Sequence, residues 1–282
     1  MEKPFASIVK FLKQKNMERR RRREERRGKN YPCALGVLGI MKNESMNLDE
    51  WVMHYRKLGA EKIYLIDNGS TDDTVAKAQV WVAKGVVDLI ERPVQHLQVP
   101  HYWDAIKTFN IRKTCEWLLI ADLDEFWFCP NGSTLAEKLK DFTAFDVIYG
   151  NWRNFGSSGL VDHPASIRTS FIHSNPRLTV HLNTKYFCRT SVIKSEKTIR
   201  IHKILGADSY RTVSDNENFN LFHYPIQSLE YFKAVKMTRG DANTAKSDHV
   251  RGMDYFTAYD APCTVENRIL ADLVQSGRLG TG

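Results

Sequence analysis

Five apolar residues running straight into three carboxylates limit most sharply what this chain can become. Trp117, Leu118, Leu119, Ile120 and Ala121 lead to Asp122, Asp124 and Glu125 within EWLLIADLDEFWF, Glu116–Phe128. The run is too short to cross a bilayer and lacks the polar alternation of a half-wet strand. It predicts a strand buried on both faces. Such a strand needs cover above and below, which means helices on both faces of a mostly parallel sheet. Carboxylates at its carboxyl end stand where open α/β sheets bind ligands. Period two sends Asp122 and Asp124 to the same side, able to face one divalent cation or one sugar nucleotide. Asp-x-Asp alone is a weak signal. Its weight here comes from the order strand, acids, aromatics; solvated acids at a strand end are the competing reading.

The surrounding pattern repeats that theme. Ala34–Met41 is a second buried-strand candidate. Asn47 and Glu50 then have capping-box spacing, and Leu48, Trp51, Val52, Tyr55 and Leu58 form one helical stripe that Gly59 ends. Lys62–Asp67 and Val86–Glu91 read as strands, and Trp103–Cys115 as a helix. This βα alternation implies a mostly parallel sheet with short connections. Beyond Phe128, Thr134 and Glu137 cap a short helix, and Asp146–Tyr149 reads as a strand. Asn151–Gly159 reads as a polar loop in which Phe155 and Gly156 allow close approach of a small ligand; an ordinary surface loop is the alternative. Lys185–Ile193 and Thr198–Leu205 are strand candidates, Phe219–Ile226 is an aromatic run, Ser228 caps a helix and Thr264–Val274 is a packing helix. Asp67, at a strand end, either caps the following turn or accepts hydrogen bonds from a base or ribose; spacing leaves both open. His202, set among isoleucines, reads as a core residue rather than a ligand.

Charge separates the chain into two parts. The formal net charge is +8 over 282 residues, but residues 1–30 hold 12 Lys/Arg against 4 Asp/Glu, and the remaining 252 hold 29 of each. The folded body therefore has no overall field that would favour nucleic acid. Residues 1–30 form a basic amphipathic or disordered tail, able to lie on an anionic membrane surface or to remain solvated. No apolar run reaches 18 residues and the N-terminus lacks a secretory core, so the expected location is cytoplasmic, with peripheral membrane contact through the tail. Five scattered cysteines without CxxC spacing argue for a reducing compartment and against a zinc or disulfide framework. The expected organisation is the tail followed by a single domain over residues 31–282, divided into a donor half (31–130) and an acceptor half (131–282).

Seven motifs in fixed order carry a resemblance. MKNESMNLDEW, LGAEKIYLIDNGSTDDT, EWLLIADLDEFWF, NWRNFGSSG, TKYFCR, IHKIL and FHYPIQSLEYFKAVK succeed one another over residues 35–240. Together they resemble glycosyltransferase family 2-like enzymes, in the branch close to family 92. The resemblance implies a GT-A (Rossmann-like) α/β fold, a nucleotide-sugar donor, a glycan acceptor, Mn²⁺ or Mg²⁺, and inversion at the anomeric carbon. It makes Asp122-Leu123-Asp124 the DxD element, with Asp124 the more direct metal ligand and Asp122 a contact to ribose or metal. It makes Asp67 the nucleoside acid, with Asn68 where a second Asp often stands, Lys185 a diphosphate partner and His223 a ligand of metal or diphosphate. Asp208 is favoured as general base over Asp162, Asp215 and Glu217, and Glu125 either joins the chemistry or orders the metal acids. A UDP-sugar of galactose or xylose type is the expected donor. The competing functions are a sugar- or nucleotide-binding domain without turnover, and a membrane- or RNA-associated scaffold acting through the tail.

Overall fold

The chain builds its centre from four parallel strands. β1 (Cys33–Met41), β2 (Lys62–Asp67), β3 (Val87–Glu91) and β4 (Cys115–Ile120) lie in the order β3-β2-β1-β4. The computed structural model describes residues 31–179, 184–239 and 251–281, so the expectations for residues 1–30 lie outside the described residues. The sheet continues through β5 (Glu125–Phe128), β6 (Val147–Asn154), β8 (Thr184–Arg189), β9 (Thr212–Ser214) and β10 (Asn220–His223), reading β3-β2-β1-β4-β8-β6-β10-β5 with β9 beside β6. β8 runs antiparallel to β4 and β6, and β5 antiparallel to β10; the other pairs are parallel. β7 (His173–Ser174) and β11 (Val265–Glu266) form a separate small ribbon. Two apolar clusters cover the sheet, one around Trp51, Trp127 and Phe187, the other around Tyr64, Tyr102 and Tyr186. Both faces are therefore dry, as the unbroken apolar strands require. Cys33–Gly282 forms one compact unit.

Several local expectations change on contact with tertiary structure. The helix expected over Trp103–Cys115 is instead Gln98–Thr108 followed by one turn, Ile111–Thr114, broken where Asn110 takes φ 54°. Asn47 and Glu50 do not form a capping box: Asn47 donates to Glu44 (2.8 Å), while Glu50 accepts from Ser166, Ile167 and Arg168. A carboxylate serving a guanidinium and two further donors is better satisfied than one reaching back to a single amide. Thr134 and Glu137 do form the expected box. Thr198–Leu205 is no strand; it pairs only at the bridge Ile199–Ile204. The loop expected over 151–159 is half strand, because β6 runs on to Asn154 beside β10.

β6 meets β5's aromatic wall at Gly150, where a β-carbon would fall 2.4 Å from the Trp127 ring. Trp127 is fully buried and wedged against Phe187 and Phe219, so it cannot retreat. Gly150→Ala should therefore cost about 1–3 kcal/mol through overpacking. Urea unfolding should show a lower midpoint with unchanged slope.

Candidate active site

The connections β1-β2-β3 wind outward on one side of β1, whereas β4 lies on the other. A doubly wound sheet leaves its ligand crevice at that change of direction, outside the carboxyl ends of the strands. A cavity of about 340 Å³ opens there, bounded by Met41, Asn68, Asp122, Asp124, His223 and Lys236. This is within the size range of small-ligand sites.

Asp122 and Asp124 reach the cavity by a different route from strand alternation. The pleat ends at Ile120, and a tight turn follows in which Glu125 N donates to Asp122 O (3.0 Å). Leu123 is buried against the core, and it and the acids on either side of it line the cavity. The helix Leu48–Lys57 clamps this turn with the polar tips of its core residues. Trp51 Nε1 donates to Asp122 O (2.9 Å) and Tyr55 OH to Glu125 O (2.9 Å); His54 Nε2 lies 2.7 Å from Trp127 O. That stripe was legible as packing, but its hold on the acid turn was not.

Each acid of the turn has its own cation. Asp122 Oδ2 accepts from Lys185 Nζ at 2.7 Å, and Asp124 Oδ2 from Lys236 Nζ at 2.7 Å. Lys185 is completely buried, with Glu125 Oε1 also 3.6 Å away. Burial works against its charge, but the carboxylates of Asp122 and Glu125 prevail and hold it above the ordinary lysine value. Glu125 is equally buried: Oε2 accepts from Asp122 N (3.0 Å) and Oε1 from Trp152 Nε1 (2.9 Å). Burial raises its pKa well above the usual range despite Lys185. It faces backbone, indole and ammonium rather than the cavity, so its geometry is that of a group ordering the acid turn. For Asp124 the balance goes the other way: burial opposes ionisation, but Lys236 keeps the carboxyl below its normal range.

His223 is set by three contacts. Asn154 Nδ2 donates to Thr179 Oγ1 (3.2 Å), which turns its Oδ1 toward His223 Nδ1 at 2.8 Å. The tautomer protonated at Nδ1, which this amide orientation suits, leaves a lone pair on Nε2, 3.7 Å from Asp124 Oδ1. The Trp152 ring stacks on the imidazole at 4.0 Å. Burial pushes the His223 pKa down from 6.5 to about 4, against the pull of Asp124. Between those two values the unfolded chain binds a proton that the folded chain refuses. Stability should thus decline as pH falls through 6.5 toward 4, by up to about 3 kcal/mol from this ring at about 1.4 kcal/mol per pH unit. His223→Gln should flatten that part of the pH–stability curve.

Of the remaining sequence candidates, Asn68 lines the cavity: its Nδ2 donates to the carbonyls of Arg92 (2.6 Å) and Val94 (2.9 Å). Asp67 does not line it; its carboxylate accepts from the amides of Gly69 and Ser70 and closes the turn after β2. Phe155 is a fully buried core ring against Phe222 and Tyr224, and Gly156 is closed off by Asp260 and Cys263. The close approach at Gly156 is thus to the protein's own chain. Asp208 stands away from the cavity, where it caps a short helical turn by accepting from Tyr210 N. His202 does line the cavity, edge-on to Trp152 at 5.5 Å, with Nδ1 3.0 Å from Thr184 O. Sequence reasoning missed Lys236, Arg239 and Arg251, which line the cavity as a basic wall, with Lys236 directly on Asp124. Their one legible signal was the run of basic residues following FHYP.

Among the described residues no three His, Cys, Asp or Glu side chains gather into a ready-made metal cage. The donors present still suit a hard cation. Asp124 Oδ1 and His223 Nε2 face each other at 3.7 Å, and Asp122 Oδ1 is buried without a hydrogen-bond partner among the described residues. Mg²⁺-type ions are commonly held by one or two carboxylates, with substrate phosphates completing the shell.

Sheet order, the cavity at the change of direction and the acid turn beneath it define a GT-A-type α/β protein. The chain belongs to glycosyltransferase family 92, whose profile matches residues 37–255. A family 92 protein of Ricinus communis is 26% identical over 284 residues, covering 90% of this chain and 46% of the relative. One from Oryza sativa subsp. japonica is 23% identical, covering 71% and 34%. The chain thus spans less than half the length of the curated relatives it matches. Among solved structures, S. aureus TarS 1–349 in complex with UDP-GlcNAc aligns with TM-score 0.46 and 14% identity, covering 86% of this chain and 71% of that one. Glucosyl-3-phosphoglycerate synthase from Mycobacterium tuberculosis, in complex with phosphoglyceric acid, aligns with TM-score 0.39 and 13% identity, covering 64% and 69%. No helix among the described residues is long and apolar enough to cross a membrane.

Proposed function

We propose that this chain is a metal-dependent, inverting glycosyltransferase that moves a sugar from a nucleotide donor, a UDP-sugar of galactose or xylose type, to a hydroxyl of a glycan. Membership of family 92 supports the class of reaction. The observation that carries the reading is the facing pair Asp124 Oδ1 and His223 Nε2, in a cavity that Lys236 and Arg239 also line. Asp124 and His223 would hold the cation, with Asp122 beside them. When bound, it supplies a Lewis acid for the charge that develops on a departing diphosphate. The chain's own residues do the rest. Asn154 and Trp152 fix the imidazole, and Glu125 and Lys185 fix the acid turn. The basic wall attracts the diphosphate. Asn68, with both amide hydrogens spent on backbone carbonyls, offers only its oxygen to a donor group on base or ribose. Inversion requires a base beside the acceptor hydroxyl. Asp208, the candidate from sequence, is not among the residues that line this cavity. Peripheral contact of residues 1–30 with anionic lipid remains part of the proposal, and nucleic acid does not.

The test is release of nucleoside diphosphate from a panel of nucleotide sugars with a glycan acceptor. Release should require Mn²⁺ or Mg²⁺ and vanish in EDTA. Full release in EDTA removes the metal from the mechanism. Tight nucleotide binding with no release under any condition leaves a binding domain instead.

A further inference from the structure

The two lysines on the acid turn are not equivalent. Lys185 is completely buried on β8, held between Asp122 and Glu125, and does not line the cavity. Lys236 lines the cavity wall, touching Asp124 Oδ2 at 2.7 Å while Asp124 Oδ1 faces His223. It ends a π-helical turn, Phe232–Lys236, a widened geometry often found at functional positions. One turn on, Arg239 is fixed by Glu44 and the carbonyl of Lys42. Lys236 therefore holds one oxygen of the carboxylate whose other oxygen a divalent cation would use.

An ammonium on Oδ2 and a dication on Oδ1 of one buried carboxylate repel each other, and low dielectric strengthens that repulsion. If a cation takes Asp124, Lys236 needs another anion. Among the described residues, the other carboxylates lining the cavity already have cations: Glu44 has Arg239, with Tyr231 and Asn47, and Asp122 has Lys185 on Oδ2, its Oδ1 standing beside the proposed cation. The anion within reach of its flexible four-carbon stem is then one brought by the ligand. We propose that Lys236 is a built-in placeholder for the divalent cation, holding Asp124 while the site is empty and crossing to the diphosphate when nucleotide arrives. Metal and nucleotide binding are then coupled through this side chain, and the coupling is reciprocal. This inference rests on the metal-dependent reading above.

The experiment is Mn²⁺ binding to the full chain, followed by the paramagnetic resonance signal of free Mn²⁺, with and without UDP. Wild type should bind Mn²⁺ weakly alone and much more tightly with UDP. Lys236→Gln should bind Mn²⁺ alone about tenfold more tightly than wild type, and the tightening by UDP should shrink by about the same factor. Lys236→Arg, which keeps a cation there, should restore the wild-type pattern. An unchanged metal affinity in Lys236→Gln without UDP overturns the proposal, because coupling would then come only from phosphate oxygens ligating the metal. Should Lys236→Gln fail to fold, a crystal structure of the wild-type chain with Mn²⁺ and UDP decides. Lys236 Nζ should lie on a phosphate oxygen, and its retention on Asp124 beside a bound metal refutes the placeholder. If wild type binds neither Mn²⁺ nor UDP, the metal-dependent reading fails and takes this inference with it; if both bind without any change in Lys236→Gln, only the placeholder fails.

Discussion

Asp124→Asn should lower diphosphate release at least about a hundredfold while the protein stays folded. The amide keeps the volume of the side chain and can still accept from Lys236, so packing at the turn is preserved. It loses the charge that pairs with His223 Nε2 to hold a cation. Removing one preorganised electrostatic contact at a developing anion typically costs about 10²–10³ in rate, and losing the metal costs more. Steady-state kinetics with saturating donor, beside a far-UV circular dichroism melt, separate this outcome from simple unfolding. Wild-type turnover in Asp124→Asn would dismiss the proposed chemistry.

Lys185→Met should produce the largest loss of stability. The ammonium is the counter-ion of two carboxylates, one of them completely buried. Its removal leaves Asp122 without its cation, and Glu125 must either ionise unpaired or take up a proton. Breaking a buried pair from one side costs about 3–5 kcal/mol, which for a chain of this size lowers the melting temperature by roughly 6–20 °C. Adding Glu125→Gln to that variant should recover part of the loss, because the uncompensated charge is then gone. Had Lys185 bound the diphosphate, as resemblance implied, Lys185→Met would weaken donor binding with little effect on the melt. Its complete burial behind the acid turn favours the structural outcome.

How much of this was legible depends on the range of the forces involved. The apolar run from Trp117 to Ala121 could only be a doubly buried strand, and β1 and β2 follow from the same logic. β2 has its expected ends and β1 and β4 fall within two residues of theirs, because a hydrophobic run and a turn residue are local signals. The Thr134–Glu137 box was readable for the same reason. The Asn47–Glu50 box was not, because Arg168 competes for Glu50 from 118 positions away. β6 overran its expected end because pairing with β10 continues through Asn154. Asp122 and Asp124 share the cavity through a turn locked by Trp51 and Tyr55, and strand period does not describe a turn.

Pattern and composition were enough to determine an α/β sheet with acids at the tip of its central strand, because apolar periodicity and strand-end chemistry are properties of neighbouring residues. Only tertiary structure decided which lysine answers which aspartate, that His223 turns Nε2 toward Asp124, and that Asp67, Phe155, Gly156 and Asp208 lie outside the cavity. Those are partnerships between residues up to 112 positions apart, such as Asp124 and Lys236. Charge pairing and desolvation depend on distance in space, which chain order does not encode.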